Sequence, residues 1–257
     1  FMIENLIIIF LINLLVVSIL FSISLIIKKA DIIDIYWAPS FLLSCLILLL
    51  INKNSSFPHL ILIIIVGIWS IRLGLYLYIR NMGHAEDIRY SKMRSKYGNI
   101  GLFLINYLIQ AILITIVSIP LQSVLSSIDI KLNLISLLGI AIALSGIIIE
   151  ALSDRQLKAF KKDPINNGKV MSLGLWNYSR HPNYFGNSLF WWGVTIYSFS
   201  LTFELIVFIS PILMTYFLLK VSGVSMLESQ IKNTKEGYEE YINTTSAFII
   251  LPKKKNE

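Results

Sequence analysis

The run LIIIFLINLLVVSILF near the N-terminus limits what this chain can fold into more than any other stretch. From Asn5 to Ile27 no charged residue interrupts it. A helix of about 20 mostly apolar residues crosses the hydrocarbon core of a bilayer, and no soluble core supplies enough partners to cover such a run on every side. The same pattern recurs. Seven spans are predicted, at 4–27, 35–51, 58–79, 102–125, 134–152, 187–199 and 203–219, the second and sixth being short. The predicted class is an all-α polytopic membrane protein, a single integral-membrane domain over residues 1–257. With 56% hydrophobic and 14% charged residues, a disordered chain, a disulfide-stapled module and an ordinary soluble enzyme are excluded. The first span is expected to be retained, because Lys28 and Lys29 follow its apolar run and no basic segment precedes it.

The formal charge of +7 is distributed unevenly. Seven spans put Lys53 and Lys131 on one side and Arg72 inside the third span. The other side takes all the remaining basic residues, from Lys28 and Lys29 to Lys232, Lys235 and Lys253 to Lys255. Basic connections stay in the cytoplasm, which predicts an external N-terminus and a cytoplasmic C-terminus. Three long polar segments, 80–101, 153–187 and 220–257, are expected to form a cytoplasmic cap.

The first of these contains Glu86, Asp87, Arg89, Tyr90 and Arg94. It reads either as a solvated helix with ion pairs one turn apart or as a ligand cradle. In the cradle, Arg80, Arg89 or Arg94 grips phosphate and Tyr90 meets a ring. Arg72, Tyr76 and Arg80 share one helical face just before it, and an arginine inside a span needs a cavity or a partner. In the second segment Glu150, Asp154, Lys158 and Lys161 share a face, as a ligand edge or as snorkelling ion pairs. Then comes GLWNYSRHPNYFGNSLFWWG, the densest signal in the chain. Arg180 suits a phosphate, His181 and Asn183 an amide or ribose, and Tyr184 a stacked ring. Trp191 and Trp192 also fit an interfacial aromatic belt.

Other chemistry is poorly supported. The chain lacks GxGxxG and GxxxxGK[ST]. His59, His84 and His181 are too scattered for a metal, and Cys45 is the sole cysteine, so neither a metal site nor a disulfide is expected. Nucleic acid is the poorest fit to a multispan chain.

The segments DIIDIYWAPSF, RLGLYLYIRNMGHAEDIRY, DRQLKAFK, GLWNYSRHPNYFG, VSGVSMLE and GYEEY, in that order, resemble the bacterial DUF1295 membrane proteins of the steroid 5-alpha-reductase superfamily. The resemblance implies a seven-helix bundle that holds NADPH at its cytoplasmic side. It also implies reduction of an activated carbon–carbon double bond in a lipophilic, steroid-like or isoprenoid substrate entering from the bilayer. Carried over by position, Asp154, Lys158, Lys161 and Asn183 match cofactor-facing positions, and Arg80 falls near another. Asp87, Arg89, Tyr90, Arg94, Trp176, Ser179, Arg180, His181, Tyr184, Glu228 and Tyr241 complete the expected cofactor set.

The steroid enzymes polarise the substrate carbonyl with a glutamate in the second helix and a tyrosine in the third. Here Asp34 is the nearest acid and Trp69 stands at the tyrosine position, so the expected donors are Tyr76 and a protonated Asp34, with Tyr36 a third candidate. Asn187 stands where the family carries Glu. The chain is also similar to isoprenylcysteine carboxyl methyltransferases, which implies the alternative cofactor S-adenosylmethionine.

Overall fold

The computed structural model describes residues 2–81, 83–221, 224, 228 and 237–253. Lys232, Lys235, Lys254 and Lys255, which entered the charge argument, lie outside the described residues, as does much of the third expected cap segment. All regular structure among the described residues is helical. The chain divides into two compact units, residues 1–133 with 198–210 and residues 134–197 with 211–257.

The first unit begins with three long helices, α1 (Met2–Ile27), α2 (Ile32–Asn52) and α3 (Phe57–Asn81). The tie between α2 and α3 is steric and aromatic. A Cβ on Gly74 would lie 2.9 Å from Pro39 Cγ, so only glycine permits this approach. Further along, the buried Trp69 meets Phe41 at 5.9 Å between ring centroids. Asn13, fully buried in α1, accepts a hydrogen bond from the Tyr36 hydroxyl at 2.8 Å and gives one to the Ile9 carbonyl. A buried amide is tolerated in an apolar helix only when it is bonded in this way.

The fourth apolar helix differs from expectation. The helical run comprises α4 (Ile88–Leu102), a π-helical stretch over Phe103–Leu108 and α5 (Ile109–Val117), so it ends at Val117 and not at Leu125. Gly98, at φ 67°, breaks the backbone geometry inside α4. A residue without Cβ adopts this left-handed conformation without steric cost. The polar helix before Gly98 and the apolar helix after it are therefore two helices that meet at a kink. Ser118 separates the apolar helix from α6 (Ile119–Ser126), whose Pro120 occupies the first turn, where proline is tolerated.

The second unit is built on α7 (Leu134–Lys162) and most of α8 (Pro182–Thr202). α9 (Ile209–Tyr216) and the short α10 (Tyr238–Thr244) follow. α7 and α8 nearly touch backbone to backbone. A Cβ on Gly146 would sit 2.5 Å from the Phe190 nitrogen, and one on Gly186 would sit 2.6 Å from the Glu150 nitrogen. Small residues let helices approach closely where lipid offers no hydrophobic drive. Gly146→Ala is expected to destabilise the protein by about 1–3 kcal/mol through forced backbone separation, read as a lower melting temperature in detergent. An unchanged melting temperature would show that the helices part freely.

Five helical elements among the described residues are long and apolar enough to cross a membrane: Ile3–Ile27, Ile32–Asn52, Phe57–Asn81, Ile88–Val117 and Leu134–Lys162. The segment Leu205–Val221 is apolar but shorter. α8 has 21 residues, more than its expected span, because the helix starts at Pro182. α2 likewise reaches 21 residues by starting at Ile32.

Candidate functional site

The predicted site residues fall into two polar clusters, one in each unit. In the first unit, Asp87 caps α4 by accepting from the Arg89 amide at 2.9 Å. The Arg89 guanidinium turns back onto the same carboxylate, with Nη2 2.8 Å from Oδ2. Burial works to raise the Asp87 pKa, but the hydrogen bonds and charge of Arg89 outweigh it and hold the carboxyl below its ordinary value. Arg89 also lies 3.8 Å from Asp34 Oδ2. The Tyr90 hydroxyl donates to the other oxygen of Asp34 at 2.6 Å. Asp34, expected as a donor, accepts here from Tyr90 through one of its two oxygens.

Arg94 forms a bidentate pair with Glu86, at 2.7 and 3.1 Å. Glu86 Oε1 also accepts from the Ala30 amide at 2.7 Å. The connection between α1 and α2 is held further by Lys29 on the Asn81 carbonyl and by the Tyr107 hydroxyl on the Ala30 carbonyl. Arg89 and Arg94 are both turned onto carboxylates, but the acids precede α4, two and eight residues away, so these are not the pairs one helical turn apart that the sequence suggests. Arg80 lies over the Tyr76 ring at 5.9 Å and bonds Asn81. Tyr36 gives its hydroxyl proton to Asn13.

The second cluster lines the ends of α7 and α8. Asn187 donates to Glu150 at 3.0 Å, and Asn183 donates to Asp154 at 3.3 Å. The amide oxygens of both asparagines are buried and find no partner among the described residues. Glu150 is 4% exposed, so an amide donor on the facing helix compensates its burial. Lys158 and Lys161 are placed on the outer turns of α7, and both are exposed.

Arg180 is almost wholly enclosed. Nε and Nη2 grip Glu228 at 2.7 and 3.1 Å, and Nη1 bonds the carbonyls of Ile242 and Thr245 at 2.8 and 2.7 Å. His181 Nε2 lies 3.3 Å from the same Glu228, and its ring stacks on Tyr184 at 5.5 Å between centroids. Burial works to raise the Glu228 pKa, but these two partners more than reverse it and bring it down to about 2. Trp176 Nε1 donates to the Ser153 carbonyl, Ser179 to the Phe248 carbonyl and Tyr241 to the Trp176 carbonyl. Trp191 is fully buried in the bundle, which removes it from an interfacial belt, and Trp192 bonds Thr215.

Sequence reasoning misses Glu86 as the clasp of Arg94 and Ala30. It also misses the pairing of Glu150 with Asn187, although the occurrence of Asn at a family Glu position is a signal. Residues 20–245 match the family described as a protein of unknown function, DUF1295. No curated protein and no solved structure matches the chain. The match spans most of the sequence and includes both clusters. The chain belongs to the DUF1295 family.

Proposed function

We propose that this protein is an NADPH-dependent membrane reductase of an activated carbon–carbon double bond in a lipophilic substrate. The observation that carries the reading is the Tyr90–Asp34 pair flanked by Arg89. It is a hydroxyl held on a partly exposed carboxylate at the end of an apolar helix. Such a pair suits a substrate whose polar group is a carbonyl on an otherwise apolar skeleton. The resemblance to the steroid 5-alpha-reductase superfamily supports the same chemistry, with Tyr90 in place of the tyrosine that Trp69 displaces.

In this reading α8 and the Leu205–Val221 segment add two crossings to the five long helices. The basic connections face the cytoplasm of a bacterial inner membrane. The substrate enters laterally from the lipid.

The residues present fit a dinucleotide in part. The unpartnered amide oxygens of Asn183 and Asn187 accept from hydroxyl or amide donors, and Lys158 and Lys161 suit phosphate. Arg180 leaves the phosphate set, because carboxylate and carbonyl oxygens already fill its hydrogen-bonding positions. When bound, the reduced nicotinamide would supply a hydride to the β-carbon, and a proton from solvent at the α-carbon would complete the reduction. Tyr90 turns its hydroxyl from Asp34 to the substrate carbonyl and stabilises the oxyanion that develops there. Asp34 orients that hydroxyl, and Arg89 fixes Asp34. The two roles lie in different units, and each is tested separately.

NADPH is expected to raise the melting temperature of the detergent-solubilised protein by mass action, with NADH weaker at equal concentration. Stabilisation by S-adenosylmethionine alone would overturn the reading in favour of a methyltransferase.

A further inference from the structure

Two hydrogen bonds join the start of α2 to the segment that leads into α4, and they keep one register. Glu86 Oε1 accepts from the Ala30 amide at 2.7 Å, and the Tyr90 hydroxyl donates to Asp34 Oδ1 at 2.6 Å. Each bond bridges 56 residues of sequence, so the step from Ala30 to Asp34 matches the step from Glu86 to Tyr90. The backbone within both steps is folded into turns. The carbonyls of Ala30 and Asp31 accept from the amides of Ile33 and Asp34 at 3.4 and 3.2 Å, and the Asp87 carbonyl accepts from the Tyr90 amide at 3.0 Å. The placement of the first bond is thereby passed on to the second. Glu86 is itself firmly held. Arg94, one turn beyond Tyr90, meets its two oxygens at 2.7 and 3.1 Å, and the Glu86 side chain is 11% exposed. Bonds to an ionised acceptor are the strong ones. Ala30 is fully buried, so its amide has no water to turn to, and its carbonyl is taken by the Tyr107 hydroxyl at 2.9 Å.

We propose that Glu86 is a positioning residue for the Tyr90–Asp34 pair, setting through Ala30 and Arg94 the register that holds the hydroxyl on the carboxylate. The inference rests on the reading of Tyr90 as the group that donates to the substrate carbonyl. In this role Glu86 touches neither substrate nor cofactor. It anchors the chain one turn before Tyr90, and Arg94 ties the turn after Tyr90 to the same carboxylate. A donor displaced by about 1 Å costs up to about 100-fold in rate, even when the change lies away from the reacting atoms. Loss of the clasp therefore acts on the chemical step more than on substrate binding.

The test uses the full chain in detergent, labelled with 13C at the tyrosine ζ carbon. The Tyr90 resonance, one of 12 tyrosines, is identified by its loss in Tyr90→Phe. Glu86→Gln keeps the side-chain shape but meets Arg94 with an amide in place of a charge. It is expected to displace the Tyr90 resonance and to lower kcat about 10–100-fold, with KM within about twofold. Glu86→Asp keeps the charge and should restore part of both. Asn5→Leu is the stability control. It breaks a 2.6 Å bond to Ser126 near the opposite end of α1, and should lower the melting temperature while leaving the resonance and kcat as in the wild type. If Glu86→Gln does not fold, Arg94→Lys decides in its place, since a single ammonium replaces the two-point grip and should move both readouts by less. If either readout stays unmoved in these variants while Tyr90→Phe is inactive, Glu86 has no such role and the reading of Tyr90 stands. Equal changes in Asn5→Leu would reduce Glu86 to general stability and overturn the proposal too. If Tyr90→Phe retains full turnover, the reading of Tyr90 falls, and the rate role of Glu86 falls with it.

Discussion

Tyr90→Phe is expected to reduce enone turnover by about 100-fold or more, the scale of losing a positioned proton or hydrogen-bond donor, while NADPH still raises the melting temperature. The substitution removes one oxygen and leaves the ring, which is packed with Val17, Ala30, Ile33, Leu102, Tyr107 and Ala111 in the core of the first unit. The fold therefore tolerates it, although Asp34 loses its 2.6 Å donor. Asp34→Asn should lower turnover by a similar factor, because an amide no longer offers Tyr90 and Arg89 a charged acceptor. If the two residues act as a unit, the double variant is no worse than either single one, since groups sharing one step are not additive. Tyr76→Phe provides the contrast. Tyr76 lies under the Arg80 guanidinium, so it is expected to retain most of the activity. A turnover that falls with Tyr76→Phe and survives Tyr90→Phe would return the donor role to the third helix.

That the sequence suggests a cofactor for Tyr90, and not Asp34, has a physical explanation. Sequence periodicity reports neighbours one turn apart on the same helix, such as Glu150 and Asp154. The two partners here are 56 residues apart, and only tertiary packing joins them. The apolar helices are legible because the need to shield backbone from lipid leaves a long uncharged run in the sequence. Their ends are less so. The polar helix from Ile88 and the apolar helix after it meet at Gly98, whose positive φ breaks the backbone between them. The π-helical stretch over Phe103–Leu108 has no compositional signature. The arginines are visible as charges, but their partners are not. Glu86, Asp87 and Glu228 are the acids that occupy them, and spacing alone does not reveal which acid meets which base across a fold.

Arg180→Gln is expected to cost the protein about 3–5 kcal/mol, the usual consequence of removing one partner from a buried ion pair. The guanidinium is 9% exposed and serves four oxygens at once: both oxygens of Glu228 and the carbonyls of Ile242 and Thr245. Glutamine reaches one or two of these and leaves a carboxylate unpaired. The pH dependence follows from the same contacts. The Glu228 pKa lies at about 2 in the fold, below its ordinary 4.5. A depressed carboxyl contributes stability that is fully present above its unfolded pKa and is lost as pH falls through its folded one. The wild-type melting temperature should therefore decline between about pH 4.5 and pH 2 partly through this group, and Glu228→Gln should flatten that portion of the curve. Arg180→Lys is expected to rescue little, because an ammonium lacks the planar fork that serves Glu228 and the carbonyls together. A phosphate-binding arginine would behave differently: its loss would weaken NADPH binding and leave the unliganded melting temperature unchanged. The enclosed geometry predicts the opposite order, with the unliganded protein destabilised first and any loss of NADPH binding following from the broken clasp between Arg180 and the C-terminal segment.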